Sequence, residues 1–137
     1  MADATELALR ALRHRDRSRH DLDERLERAG VSAEEREEAL ESLAASGVLS
    51  DERFAQERAR NLAARNAGDS LIRFHLRRHG IADEDVDDAL AQLEPERERA
   101  AEVFRRRGGG DRAYRYLAGK GFARETLESL AAGDSLD

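Results

Sequence analysis

His75 and His79 stand four residues apart, a spacing that puts two imidazoles on one face of a helix where a metal could be held. The residues between them are Leu76, Arg77 and Arg78, so the glutamate of a His-Glu-x-x-His site is missing. No third ligand is at hand and the guanidinium groups repel a cation, so no metal site is expected. His14 and His20 read as exposed polar side chains. The chain has no cysteine, which removes disulfides, thiolate metal sites and a cysteine nucleophile together. Gly108-Gly109-Gly110 lies between basic helices, but it lacks the spaced glycines and the Lys-Ser/Thr of a phosphate-binding loop and follows no strand. It reads as a flexible link. Carboxylates are abundant, in surface runs such as Glu34-Glu35-Arg36-Glu37-Glu38, where nothing sets up a buried pair with separated pKa values. Catalytic residues and cofactors are therefore not expected.

What remains is the chemistry of arginine, because 23 of the 24 cations are Arg and one is Lys. Arg13, Arg15, Arg17 and Arg19, then Arg73, Arg77 and Arg78, then Arg105, Arg106, Arg107, Arg112 and Arg115 cluster in three successive stretches. Guanidinium groups suit bidentate contacts to carboxylate or phosphate, and these are the candidate partner-binding residues. The plain alternative is a set of solvated faces with i,i+4 ion pairs. The net charge of −6 conceals an alternation: residues 10–20 carry +4, 21–42 −6, 53–80 +5, 81–98 −7, 99–124 +6 and 125–137 −4.

The elements that must position these groups are helices. Leu and Ala dominate the 39% hydrophobic residues, aromatic residues are 4%, and one Pro leaves long stretches free to be helical. A repeat is visible. Leu22, Leu26, Gly30 and Val31 align with Ile72, Leu76, Gly80 and Ile81 at an offset of 50, and with Ala113, Leu117, Gly121 and Phe122 at a further offset of 41. Upstream, Leu12, Leu62 and Val103 correspond; downstream, Ala39, Leu40 and Leu43 match Ala89, Leu90 and Leu93. The glycines Gly30, Gly80 and Gly121 predict a left-handed residue just past a helix end. The apolar residue after each would pack back on Leu26, Leu76 or Leu117, and Ser32-x-x-Glu35 predicts a capping box.

The expected fold is all-α, an elongated and curved tandem array of three three-helix repeats. The units are 1–47, 48–94 and an atypical 95–137, with helices at 4–14, 19–29 and 33–46, then 51–66, 70–79 and 83–93, then 96–107, 111–120 and 124–132. Each unit is too small to bury a large core alone, so neighbours are expected to share apolar surface. Phe54, Phe74, Phe104 and Tyr116 fall at helical spacing and are expected in the core. If equivalent helices line up, the array carries a basic stripe from its first and second helices and an acidic stripe from its third. No apolar run reaches the roughly 18 residues of a membrane span, and the first 20 residues lack a signal-peptide core, so an unprocessed, soluble protein is expected; the absence of cysteine fits a cytoplasmic one, and a monomer is expected.

Leu9-Arg10-Ala11-Leu12, Arg17-Ser18, Leu22, Leu26 and Gly30-Val31, then Leu49-Ser50-Asp51-Glu52-Arg53-Phe54-Ala55, Gly68, Ile72, Leu76 and Gly80-Ile81, and the Gly121-Phe122 turn resemble the RecX family over about residues 7–132. The resemblance implies tandem three-helix repeats that bind filaments of the RecA recombinase on single-stranded DNA in the helical groove. It further implies inhibition of ATP turnover and strand exchange, a place in homologous recombination, DNA repair and the SOS response, and no cofactor. The chain departs from the family pattern at Asp16 and Asp69, where Pro is common, and at Arg58, where an aromatic residue is frequent. Two other readings stand beside this one. Residues 18–54 resemble a helix-turn-helix with the start of a wing, although the would-be recognition helix 33–43 is acidic and would be repelled by phosphates. A generic helical interaction scaffold is the other.

Overall fold

The computed structural model describes residues 3–134, so the last three residues of the expected third unit, and residues 1 and 2 of the first, lie outside the described residues. Among the described residues there are nine helices and no strand: α1 (Ala4–His14), α2 (Arg19–Arg28), α3 (Ala33–Ala45), α4 (Asp51–Ala64), α5 (Asp69–Arg78), α6 (Asp83–Ala91), α7 (Glu96–Arg106), α8 (Gly110–Gly119) and α9 (Arg124–Asp134). None is long and apolar enough to cross a membrane.

Local chemistry fixes the helix ends. Asp3, Ser18, Ser32 and Ser50 accept hydrogen bonds from the backbone N–H three residues on, at 2.8, 3.1, 3.3 and 3.1 Å, which satisfies donors that a helix leaves unpaired. At the other ends Gly30, Gly80 and Gly121 take φ of 86°, 73° and 85°, the left-handed region where a Cβ is penalised. The amides of Val31, Ile81 and Phe122 then reach back to the carbonyls of Leu26, Leu76 and Leu117 at 3.1, 3.2 and 3.4 Å, closing Schellman turns as the repeat predicted. The same turn closes two first helices of units, which the repeat did not reveal. Asn66 (φ 71°) ends α4, with Ala67 N–H donating to the Leu62 carbonyl at 3.0 Å. Gly108 (φ 86°) ends α7, with Gly109 N–H donating to Phe104 at 2.8 Å.

The helices pack as α1–α2–α3, α4–α5–α6 and α7–α8–α9. Each triplet encloses its own apolar cluster: Ala8, Ala11, Leu22, Leu26, Leu40, Leu43 and Leu49 in the first, Phe54, Ala55, Ile72, Leu76, Ile81 and Val86 among the second, and Ala100, Val103, Phe104, Leu117, Phe122, Leu127 and Leu130 among the third. Leu49 belongs to the first cluster, two residues past the expected division at 47. Ile81 and Val86 share the core of the second unit, and Phe122 and Leu127 that of the third, whereas the first unit has Arg36 at the position of Val86. The Arg36 guanidinium donates to Asp23 and to the Val31 carbonyl, both at 2.9 Å.

The expectation of shared apolar surface between units is overturned: the three clusters are separate, and the units meet through polar groups. The reason lies in what faces each seam. Helices α2 and α5 present their N-termini to the next unit, and unpaired backbone N–H groups need acceptors more than they need oil. Asp51 accepts from the Arg19 N–H at 2.8 Å, and Glu96 accepts from the Asp69 N–H at 2.7 Å while its other oxygen takes the Ala123 N–H at 3.1 Å and the Thr126 hydroxyl at 2.6 Å. The glycine turn of the following unit presses on the same helix start. A Cβ on Gly80 would lie 2.4 Å from the His20 Cβ, and one on Gly121 would lie 2.7 Å from the Leu71 Cβ. Gly68 and Ser70 donate to the carbonyls of Lys120 and Gly121 at 2.7 and 3.2 Å. His20, expected as a merely exposed polar residue, is thus the seat of the Gly80 turn.

All three positions at which the sequence departs from the resembling pattern make contacts. Asp16 pairs with Arg53 of the second unit at 3.4 Å, and Asp69 pairs with Arg99 of the third. Arg58 lies 5.0 Å from the Phe54 ring centroid and 3.5 Å from His79 Nε2. His79 Nδ1 in turn meets Asp21 of the first unit at 2.6 Å, which makes this histidine a seam residue.

Candidate partner-binding surfaces

The candidate arginines fall into two groups. Arg19 pairs with Glu37 and Glu41 at 2.8 and 3.2 Å, Arg73 with Asp87 at 2.9 Å, Arg77 with Asp83 at 3.1 Å, and Arg105 and Arg106 both with Glu102. Their charge is partly spent on carboxylates of their own units, on α3 and α6 in the first two and within α7 itself in the third. Arg17 is half-buried, and its Nε donates to the Ala11 carbonyl at 3.2 Å, closing the end of α1. Burial first, then Arg25 and Arg15, lower its pKa from the usual guanidinium value, with Asp21 acting in the opposite sense.

The other group is free to meet a partner. Arg13, Arg15, Arg112 and Arg115 are exposed and make no ion pair among the described residues. Arg78 and Arg107 lie on aromatic faces, Arg78 at 5.8 Å from the Phe74 centroid and Arg107 at 3.5 Å from that of Tyr116.

Two grooves collect such residues. Between α7 and α8 a cleft of about 960 Å³ is lined by Arg106, Arg107, Arg112, Arg115, Tyr116 and the Gly108–Gly109 turn, with Asp111 its one carboxylate. Between α1 and α2 a groove of about 510 Å³ is lined by Arg10, His14, Arg25 and Arg28 around Leu7 and Leu26. Arg10, Arg25 and Arg28 were not among the candidates, although the repeat alignment sets Arg28 against Arg78 and so carried a signal. The opposite faces are acidic, with Glu34, Glu35, Glu37, Glu38 and Glu41 exposed on α3, and Asp83, Glu84, Asp87 and Asp88 exposed on α6.

Phe74, expected in the core, is instead 58% exposed on α5. Ile72 and Leu76 hold the buried face, and a residue two positions from each lies about 200° around the helix axis. Tyr116 is half-buried rather than core; its hydroxyl accepts from Asn66 Nδ2 across the seam at 3.0 Å. His75 and His79 stack at 5.9 Å between centroids. Burial, then Arg58, His79 and Arg78, hold the His75 pKa below the usual imidazole value, so its neutral form is favoured beside this cationic patch.

A profile of the second three-helix domain of RecX proteins matches residues 50–90. Regulatory protein RecX of Pseudomonas putida is 32% identical over 140 residues, covering 95% of this chain and 90% of that protein. Regulatory protein RecX of Acidithiobacillus ferrooxidans is 34% identical over 149 residues, covering 99% of this chain and 94% of that protein. The crystal structure of RecX from Lactobacillus salivarius superposes with a TM-score of 0.82 over 98% of this chain and 96% of that one, at 18% identity, a likeness of fold. With three helical units, glycine turns at matching positions and relatives aligned over nearly its whole length, the chain belongs to the RecX family of regulatory proteins.

Proposed function

We propose that this chain modulates the RecA recombinase by binding its filaments on single-stranded DNA, lying in the helical groove and lowering ATP turnover and strand exchange. Family membership supports the identity of the partner. The observation that carries the mode of binding is the recurrence of unpaired or aromatic-backed guanidinium groups, Arg13 and Arg15, then Arg78, then Arg107, Arg112 and Arg115, in three successive units. A modular body with a cationic patch in each of its units can engage successive sites of a helical partner, whereas a compact domain touches only one or two. Each unit then contributes a weak contact, and their sum gives residence. Catalysis and a cofactor have no part in this reading.

The test is ATP hydrolysis by RecA on single-stranded DNA with the protein titrated to micromolar levels. Inhibition is expected, and the triple variant R13E/R15E/R78E should weaken it while helicity by circular dichroism is retained. Undiminished hydrolysis in the presence of folded wild-type protein would overturn the proposal. The helix-turn-helix reading gains nothing from the geometry, because α3, its would-be recognition helix, exposes five glutamates and pairs two of them with Arg19.

A further inference from the structure

The seam between units is used twice inside the chain with the same parts. The unit ahead supplies the N-terminus of its second helix, and the unit behind supplies a glycine turn and a carboxylate from the start of its first helix. Arg19 N–H meets Asp51, and Asp69 N–H meets Glu96; Gly80 presses on His20, and Gly121 on Leu71. Each half of this seam also occurs once without a counterpart among the described residues, with Ala4 in the first unit where the others have Asp51 and Glu96, and Asp3, the cap of α1, as the carboxylate beside it. The turn at Gly30 has the same φ and the same back-bond as its two equivalents, yet nothing lies within 4 Å of the position a Cβ would take. At the far end, α8 begins at Gly110 with no side-chain cap, and the cleft of Arg106, Arg107, Arg112 and Arg115 opens beside it, where α2 and α5 receive the next unit.

The two open halves carry opposite charge. Beside the Gly30 turn, a shallow groove between the start of α1 and α3 is lined by Asp3, Glu35 and Glu38. It is the corner where, in the third unit, Glu96 meets the start of α9 through the Ala123 N–H and the Thr126 hydroxyl. An acidic corner next to an unpressed glycine turn is the chemical complement of a basic cleft next to an uncapped helix start.

We infer that copies of this chain associate head to tail, the Gly30 turn and the Asp3, Glu35 and Glu38 corner of one copy seating on the α8 N-terminus and the Arg112 and Arg115 cleft of the next. The contact is heterologous, so it continues the array instead of closing a dimer. One seam is polar and small, so the association is weak and salt-sensitive in free solution and becomes effective when copies are held side by side. It requires neither recombinase nor DNA, and therefore stands or falls apart from the function proposed above.

Sedimentation velocity of the full chain alone, over a concentration series at low and at high salt, tests this. The average mass is expected to rise with concentration beyond that of a dimer at low salt and to fall back at high salt. Reversing the tail (R112E/R115E) or the head (E35R/E38R) should each weaken self-association by roughly tenfold or more, through like-charge opposition. An equimolar mixture of the two reversed proteins should restore it, because every head then finds a tail of opposite sign. Circular dichroism confirms that both variants remain helical. A mass that stays monomeric at every concentration, that levels at a dimer, or that ignores both reversals overturns the inference. If the wild type stays monomeric while R112E/R115E alone loses binding to a single-stranded oligonucleotide, the cleft belongs to phosphodiesters and the inference is likewise wrong.

Discussion

Four glycines separate the cost of a strained backbone from the cost of prising two units apart. At Gly30 an added Cβ meets nothing within 4 Å, so Gly30→Ala introduces only the left-handed penalty of a φ of 86°, about 1 kcal/mol. At Gly68 the situation is reversed: its φ of −83° suits any residue, but the new Cβ would lie 2.5 Å from Gly121 C, Gly121 O and Phe122 N. These are backbone atoms and cannot swing aside. Relieving the overlap costs about 1–3 kcal/mol, and backing away lengthens the bonds from Gly68 and Ser70 to Lys120 and Gly121, each worth about 1 kcal/mol. Gly68→Ala should therefore cost about 2–4 kcal/mol although its backbone is unstrained, and Gly80→Ala and Gly121→Ala should combine both penalties. Thermal unfolding followed by circular dichroism orders the series, at roughly 4 °C per kcal/mol for a chain of this size. Amide hydrogen exchange locates the damage: Gly68→Ala should deprotect the Ser70 amide at the seam while the Leu117 amide in the third core stays protected. If Gly30→Ala proves as costly as Gly68→Ala, or if Gly68→Ala melts like the wild type, the description of the seam as a close backbone contact is wrong.

Other consequences are as direct. The His75 pKa is depressed in the folded state, so the folded chain binds fewer protons than the unfolded one; the stabilisation is complete above the unfolded value near 6.5 and is lost as pH falls through it. Denaturant titrations should show stability declining as pH falls below about 6.5 and a shallower decline in His75→Leu, while NMR titration should place the His75 midpoint below 6.5. Glu96→Ala removes acceptors from three donors in two units and should cost about 2 kcal/mol in chemical denaturation, more than Glu94→Ala in the link that precedes α7. Phe74→Ala should leave the melting temperature within about 2 °C of the wild type, since the ring is 58% exposed, yet lower affinity for a filament if the ring anchors a partner.

The glycine turns, the helix triplets and the buried faces of α2, α5 and α8 were legible because each rests on local rules: a left-handed residue after a helix, a back-packing apolar neighbour, and a period near 3.6. Asn66 escaped because asparagine takes the left-handed region less often than glycine, and nothing in its neighbours marks it. Phe74 is exposed because its angle to Ile72 and Leu76, and not its hydrophobicity, decides which way it faces. The seams were hidden for a different reason. The contacts of Asp51 with Arg19, Glu96 with Asp69 and His79 with Asp21 join residues far apart in sequence, and a carboxylate at a helix start reads equally well as a response to its own helix dipole. The same limit applies to the arginines. Spacing places Arg73 and Arg77 beside Arg78, but only the packing of α5 on α6 decides that two of them are already paired with carboxylates.

Because each unit keeps its own oil and the seams are joined mainly by polar groups, the protein yields to bending in an unusual way. Opening a seam exchanges bonds to Asp51, Glu96 or the Lys120 carbonyl for bonds to water and lays bare little hydrocarbon, so its free energy rises gently with angle. The molecule is thus stiff within a unit and compliant between units, a ruler with jointed segments. Laid along a curved partner in the mode proposed above, such a ruler can keep all its segments seated where a single rigid rod would lift off at one end.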